Sequence, residues 1–205
     1  MDKQKYLDDI KDIKDIMDRS TKFISLSGLT GIVTGILALI AVYFAYNIVY
    51  TEQNYLVDRI AILSSEKLLQ LIGIATLTII LSIVLGIIFT SKKANQNKQK
   101  LWDKQAKRFY MNLAIPLCTG GVLCLILLVK GYVGLVAPLT LIFYGLALVN
   151  GSHNTLSELK SLGIIEIILG VIAVYFIGYG LIFWAVGFGV MHIVYGTFMH
   201  IKYGS

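Results

Sequence analysis

From Ser161 to Ile201 the only formal charge in the chain is Glu166, and a histidine, His192, follows it within the same stretch. Between them lies Gly178-Tyr179-Gly180, two glycines around an interface-seeking tyrosine, which fits a tight turn. Glu166 stands thirteen residues before Tyr179 and His192 thirteen after it. At the rise of a helix both are about 20 Å from the turn, so antiparallel neighbours would bring a carboxyl and an imidazole to the same depth. An acid inside a bilayer costs on the order of 2.5–3.5 kcal/mol, and such residues pair with a partner or line a pathway. The chemical reading of Glu166 and His192 is a proton-responsive or cation-binding pair. The structural reading is a hydrogen bond, or Glu166 reaching toward an interface six residues past Lys160.

Other polar groups offer less. Asn150, His153 and His200 fall near the same side of the apolar blocks as His192. Facing histidines can ligate haem, but His192 and His200 are eight residues apart, about 12 Å along a helix, too far to share one ion. Cys118 and Cys124 are six apart and point to different faces, so they form neither a metal pair nor a disulfide. The chain has no zinc-protease, phosphate-loop, nucleophile-elbow or dinucleotide fingerprint. No catalytic residue, metal or cofactor is expected, and a non-enzymatic protein is the leading reading.

The elements that must position these residues follow from composition. Of 205 residues 57% are apolar and 15% charged, with a mean hydropathy of +0.76. Soluble domains carry about 25% charge. The apolar residues form blocks rather than stripes: 23–51, 68–91, 109–129 and 131–157 have no formal charge. A bilayer core takes about 20 helical residues, so these blocks give four crossings and 161–201 gives two. The expected fold is all-α, with spans at about 23–46, 68–90, 109–129, 132–150, 160–178 and 181–201. A barrel would need short segments of alternating polarity, which are missing. Residues 1–22 read as a cytoplasmic amphipathic helix, with Tyr6, Ile10, Ile13 and Met17 on one face. It is a candidate contact for a partner protein or a second copy. A signal peptide and a lipid anchor are not expected.

Charge sets the orientation. Fifteen of the eighteen basic residues fall on the side that carries both termini, against Arg59, Lys67 and Lys130 on the other, which places the termini in the cytoplasm. The basic loop 91–108 contributes Lys92, Lys93, Lys98, Lys100, Lys104, Lys107 and Arg108. It either contacts anionic headgroups, at about 1 kcal/mol per residue near the surface, or enforces topology while solvated. The net charge of +6 is accounted for this way without nucleic acid. In the first span Ser27, Gly31 and Gly35 make a small-residue ridge suited to close helix packing, within the monomer or in a homo-oligomer.

Residues 31–44 align without gaps to 163–176, matching at nine of fourteen positions. Ile83-Val84-Leu85-Gly86, Ile142-Phe143-Tyr144-Gly145 and Ile193-Val194-Tyr195-Gly196 place glycine three after isoleucine near the ends of the even-numbered spans. Three parallel helical hairpins are the economical reading. With the Phe-Ile-Ser-Leu-Ser-Gly opening at 23–28 and Phe-Trp-Ala-x-Gly-Phe-Gly-x-x-His-Ile-x-Tyr-Gly at 183–196, the chain resembles uncharacterised small six-helix bacterial membrane proteins. Less closely, it resembles the HdeD-like acid-resistance membrane proteins, from which its basic loop and charged N-terminal helix depart. The resemblance implies a multi-pass protein of the bacterial cytoplasmic (inner) membrane. The function expected is regulatory or accessory; the alternative is a small transporter or channel using Glu166 and His192.

Overall fold

The computed structural model describes residues 27–50, 64–96 and 104–203, together with Ile10. Among them there are six long helices and no strand: α1 (Gly28–Val49), α2 (Ser65–Gln96), α3 (Lys104–Val129), α4 (Val133–Gly151), α5 (Glu158–Tyr175) and α6 (Gly180–Tyr203). The amphipathic helix expected at 1–22 lies, but for Ile10, outside the described residues. All helices but α5 are long and apolar enough to cross a membrane. The exception, 18 residues long, carries Glu158, Lys160 and Glu166.

Two tight turns join helices at the end opposite the basic loop, and glycine makes both possible. Gly131 and Gly178 have φ of 87° and 103°, where a Cβ would be strained. At the first, Tyr132 N–H bonds Leu127 O at 2.9 Å and Gly131 N–H bonds Leu128 O at 3.1 Å, the paired bonds of a Schellman stop. A hydrogen bond from the Tyr50 hydroxyl to Gly178 O ties the end of α1 to the second turn.

Helix order in space differs from order in sequence. α2 packs on α1, α1 on α6, α6 on α4, and α4 on both α5 and α3. The two broadest contacts are α1 with α6 and α4 with α5, and a three-hairpin scheme assigns the partners of each to different units; α5 and α6 meet mainly near their turn and at Glu166. Glycines explain the close approaches. A Cβ on Gly145 would lie 2.5 Å from Gly163 O, and one on Gly170 2.8 Å from Pro138 O, so α4 and α5 touch backbone to backbone. On the α1–α6 seam, a Cβ on Gly31 would lie 2.9 Å from Gly196 Cα and one on Gly35 2.7 Å from Gly189 O. Gly28 joins them on α1, where a Cβ would lie 2.5 Å from Gly196 O. Ser27 is buried just ahead of the helix and makes no side-chain cap.

The interior is small. Its apolar cluster joins Ala106 and Phe109 of α3, Leu148 of α4 and Leu159 and Leu162 of α5, with Tyr144, Met191 and Tyr195 packed against it. Most bulky side chains face outward instead: Ile79, Ile80, Ile83, Ile87 and Ile88 of α2 are 52–58% exposed. Water would penalise such a surface at about 25 cal/mol per Å². With five helices of membrane-crossing length, this exterior points to a membrane protein.

Candidate functional site: a buried carboxyl and imidazole

Glu166 sits in the middle of α5 with no solvent exposure, and His192 in α6 is buried at 7%. His192 Nδ1 is 3.5 Å from Glu166 Oε1. The depth matching read from the turn therefore ends in contact distance, although α5 and α6 share little other surface.

Local sequence explains the fit. Gly187 faces Glu166, and a Cβ there would collide with Oε2 and lie 2.6 Å from Leu141 Cδ2. Gly189, two residues on, faces the other way, toward Leu39 of α1. The two glycines of Gly187-Phe188-Gly189 thus let α6 approach α5 on one side and α1 on the other. Between Ala185 and Met191 the helix widens into a π-helical segment. Single π turns insert one extra residue and cluster at functional positions. Here the segment carries Gly187 and ends just before His192.

Both imidazole nitrogens have partners. Nδ1 lies 3.0 Å from Gly187 O, and Nε2 lies 2.7 Å from the Tyr144 hydroxyl of α4. A carbonyl only accepts, so Nδ1 carries the hydrogen. In the neutral ring Nε2 then accepts from Tyr144, an assignment made from the hydrogen-bond pattern. Rings continue this line: Tyr144 and Phe188 have centroids 4.8 Å apart, Phe188 and Trp184 4.7 Å, and Trp184 Nε1 donates to Thr140 Oγ1 at 3.1 Å. Neither Glu166 oxygen has a hydrogen bond among the described residues. A buried polar group without a partner is costly, which makes this carboxyl the most unsettled group of the interior.

The other candidates are dispersed. His153 is exposed on a short 3-10 turn, and Asn150 Nδ2 donates to Asn112 O at 2.9 Å, linking α4 to α3. His200 lends its backbone to the α1 seam, and its Nδ1 is buried without a hydrogen bond among the described residues. No group of three or more His, Cys, Asp or Glu able to hold a metal occurs among the described residues. Cys118 is exposed and Cys124 buried, its thiol 3.8 Å from Val136 O. Of the basic set, Lys92, Lys107 and Arg108 are exposed and Lys104 opens α3. Lys93 is buried at 5%, where loss of hydration lowers its pKa. Lys98 and Lys100 lie outside the described residues.

Sequence reasoning missed Tyr144, Gly187 and a second tie at the end opposite the two glycine turns. There Glu158 accepts from Lys202 Nζ at 2.5 Å and from the Tyr203 hydroxyl at 2.8 Å, joining the start of α5 to the end of α6. The bond from Lys202, helped by Tyr203, holds the Glu158 carboxyl down at about 2. Tyr-Gly occurs at 144–145, 179–180, 195–196 and 203–204, so the dipeptide does not by itself single out Tyr144. No protein-family model matches the chain, and neither a curated protein nor a solved structure matches it.

Proposed function

We propose that the chain is a six-span protein of the bacterial cytoplasmic membrane with both termini inside, and that its role is regulatory or accessory rather than enzymatic. In this reading Glu166 and His192 are its proton-responsive element. The observation that carries it is the enclosed carboxyl of Glu166, without a hydrogen bond of its own and 3.5 Å from an imidazole on another helix. A carboxyl so placed gains a strong bond only by changing charge, and charge-assisted hydrogen bonds are roughly twice as strong as neutral ones. α5 counts as the sixth span because its apolar part, past Lys160, is interrupted by Glu166 alone. Kinship with small six-helix bacterial membrane proteins rests on layout and on the two quoted motifs. The basic distribution supports the orientation, and exposed Lys92, Lys107 and Arg108 suit contact with anionic headgroups.

Trp184 lies on the ring line that ends at His192 and so reports on the site. With Trp102 replaced by Phe, its fluorescence in lipid nanodiscs should titrate with pH, and Glu166→Gln and His192→Ala should each abolish that titration. An unchanged titration in both variants sinks the reading.

A second reading, a small transporter or channel, draws on the same unpartnered carboxyl oxygens. The full enclosure of Glu166 favours the regulatory one. Flux into proteoliposomes under a pH gradient, lost in Glu166→Gln, would reverse that preference.

A further inference from the structure

His192 Nδ1 has one hydrogen and two acceptors within reach, Gly187 O at 3.0 Å and Glu166 Oε1 at 3.5 Å. We propose that these acceptors compete for it, and that the outcome sets whether the middle of α6 is π-helical or α-helical. The inference rests on the proton-responsive reading above and adds a moving part to it.

With Glu166 protonated, the neutral carboxyl is the weaker acceptor and the Nδ1 hydrogen stays on Gly187 O, as in the structure. As pH rises, Glu166 releases its proton to water and becomes a carboxylate. The charged acceptor then draws the Nδ1 hydrogen away from the carbonyl. No proton is added to the ring, which keeps its bond from Tyr144. Gly187 O, left without its side-chain donor, takes the backbone N–H of Met191, four residues on, and the π turn tightens. Because His192 stays on Tyr144, the tightening is confined to the turn before it, and the following helix is drawn along its axis by up to about 1.5 Å, the rise of one residue. That following helix carries Gly196 and His200, which pack on Gly28 and Gly31, so the change is passed to α1.

The surroundings leave this competition to the pair. Tyr144 is the sole titratable side chain of α4, and it already faces the imidazole. α1 has no charged residue and meets α6 here through glycines and Leu39. α3 turns Lys107 and Arg108 to the exterior. On α6 itself Tyr195 is near, with its hydroxyl buried and without a hydrogen bond among the described residues. On α5, Glu158 is held by Lys202 and Tyr203 at the helix start.

Spin labels at Ile40→Cys on α1 and Phe198→Cys on α6, both 50% exposed and off the seam, would read the movement in the full chain with Cys118 and Cys124 replaced by Ser. Distances in nanodiscs at about pH 5 and about pH 9 straddle the range of a buried carboxyl. The expected result is a shift of about 1–1.5 Å between the two, with Glu166→Gln fixed at the low-pH distance. Infrared difference spectra of the same samples follow the carboxyl band of Glu166. If that band titrates while the distance stays constant, the helix switch is wrong and the proton-responsive reading stands. If the band does not titrate, both fall. The unmutated pair at two pH values is sufficient even if Glu166→Gln fails to fold.

Discussion

Gly187 is the residue on which the site depends most directly, because its hydrogen side chain makes room for a carboxyl. Gly187→Ala places a methyl where Glu166 Oε2 and Leu141 Cδ2 now lie, and overpacking of this kind costs about 1–3 kcal/mol. Thermal unfolding in detergent should show that loss. Combined with Glu166→Ala, which vacates the space, the cost of Gly187→Ala should shrink, the coupling expected of residues in contact. Glu158 gives a second residue-level test. Its carboxyl sits at about 2 when folded against about 4.3 in an unfolded chain. A depressed acid contributes fully above its unfolded value, and the contribution fades as pH falls toward its folded one. Glu158→Gln should therefore lower the melting temperature at neutral pH and flatten its dependence on pH between about 4.5 and 2. Equal slopes in both proteins would count against the tie to Lys202 and Tyr203.

Elements in this protein are distinguished by where their glycines face. Gly196→Ala would set a Cβ 2.5 Å from Ile32 N and 2.7 Å from Gly28 O, backbone atoms that cannot swing aside, so α1 and α6 must separate. Gly73 of α2 meets nothing within 4 Å. Gly73→Ala should leave stability unchanged or raise it by about 0.5–1 kcal/mol, the ordinary helix gain, while Gly196→Ala should lower it; thermal unfolding of the two variants side by side decides. The same contrast marks how far the sequence could be read. Charge-free blocks and the glycine turns at 131 and 178 locate helices because hydration of charge and a positive φ are local constraints. That Glu166 and His192 share a depth also follows from counting along two helices. Which helices become neighbours does not follow, because the face that each apolar helix turns inward is set by partners far away in sequence. Tyr144 was missed for that reason, lying forty-eight residues from His192 on a helix outside the expected hairpin. The π segment was missed too, since a stretch such as Ala185–Met191 shows no deviation from helical pattern until its carbonyls are assigned.

For the whole molecule, the leading prediction is topological. In the chain with Cys118 and Cys124 replaced by Ser, Tyr132→Cys lies beside the turn with Lys130, and Ser157→Cys lies at the end with Lys160. A membrane-impermeant maleimide added to intact cells should label the first and spare the second, and permeabilisation should expose both. The reverse pattern would invert the orientation read from the basic residues. Both positions are exposed and lie outside the glycine seams, so the result reports sidedness rather than folding.

The seam between α1 and α6 also has a consequence for how the molecule is made. It joins the first described helix to the last, Gly35 to Gly189, so roughly 150 residues of synthesis separate the two halves of one contact. At about 5–20 residues per second, α1 would wait on the order of ten to thirty seconds after leaving the ribosome before its glycine face is covered. During that interval α2, the next of the described helices to be made and one that packs on α1, would be its companion. The bundle closes only when its last helix arrives, and a nascent chain cut short after α5 would leave that face open to whatever else the membrane offers.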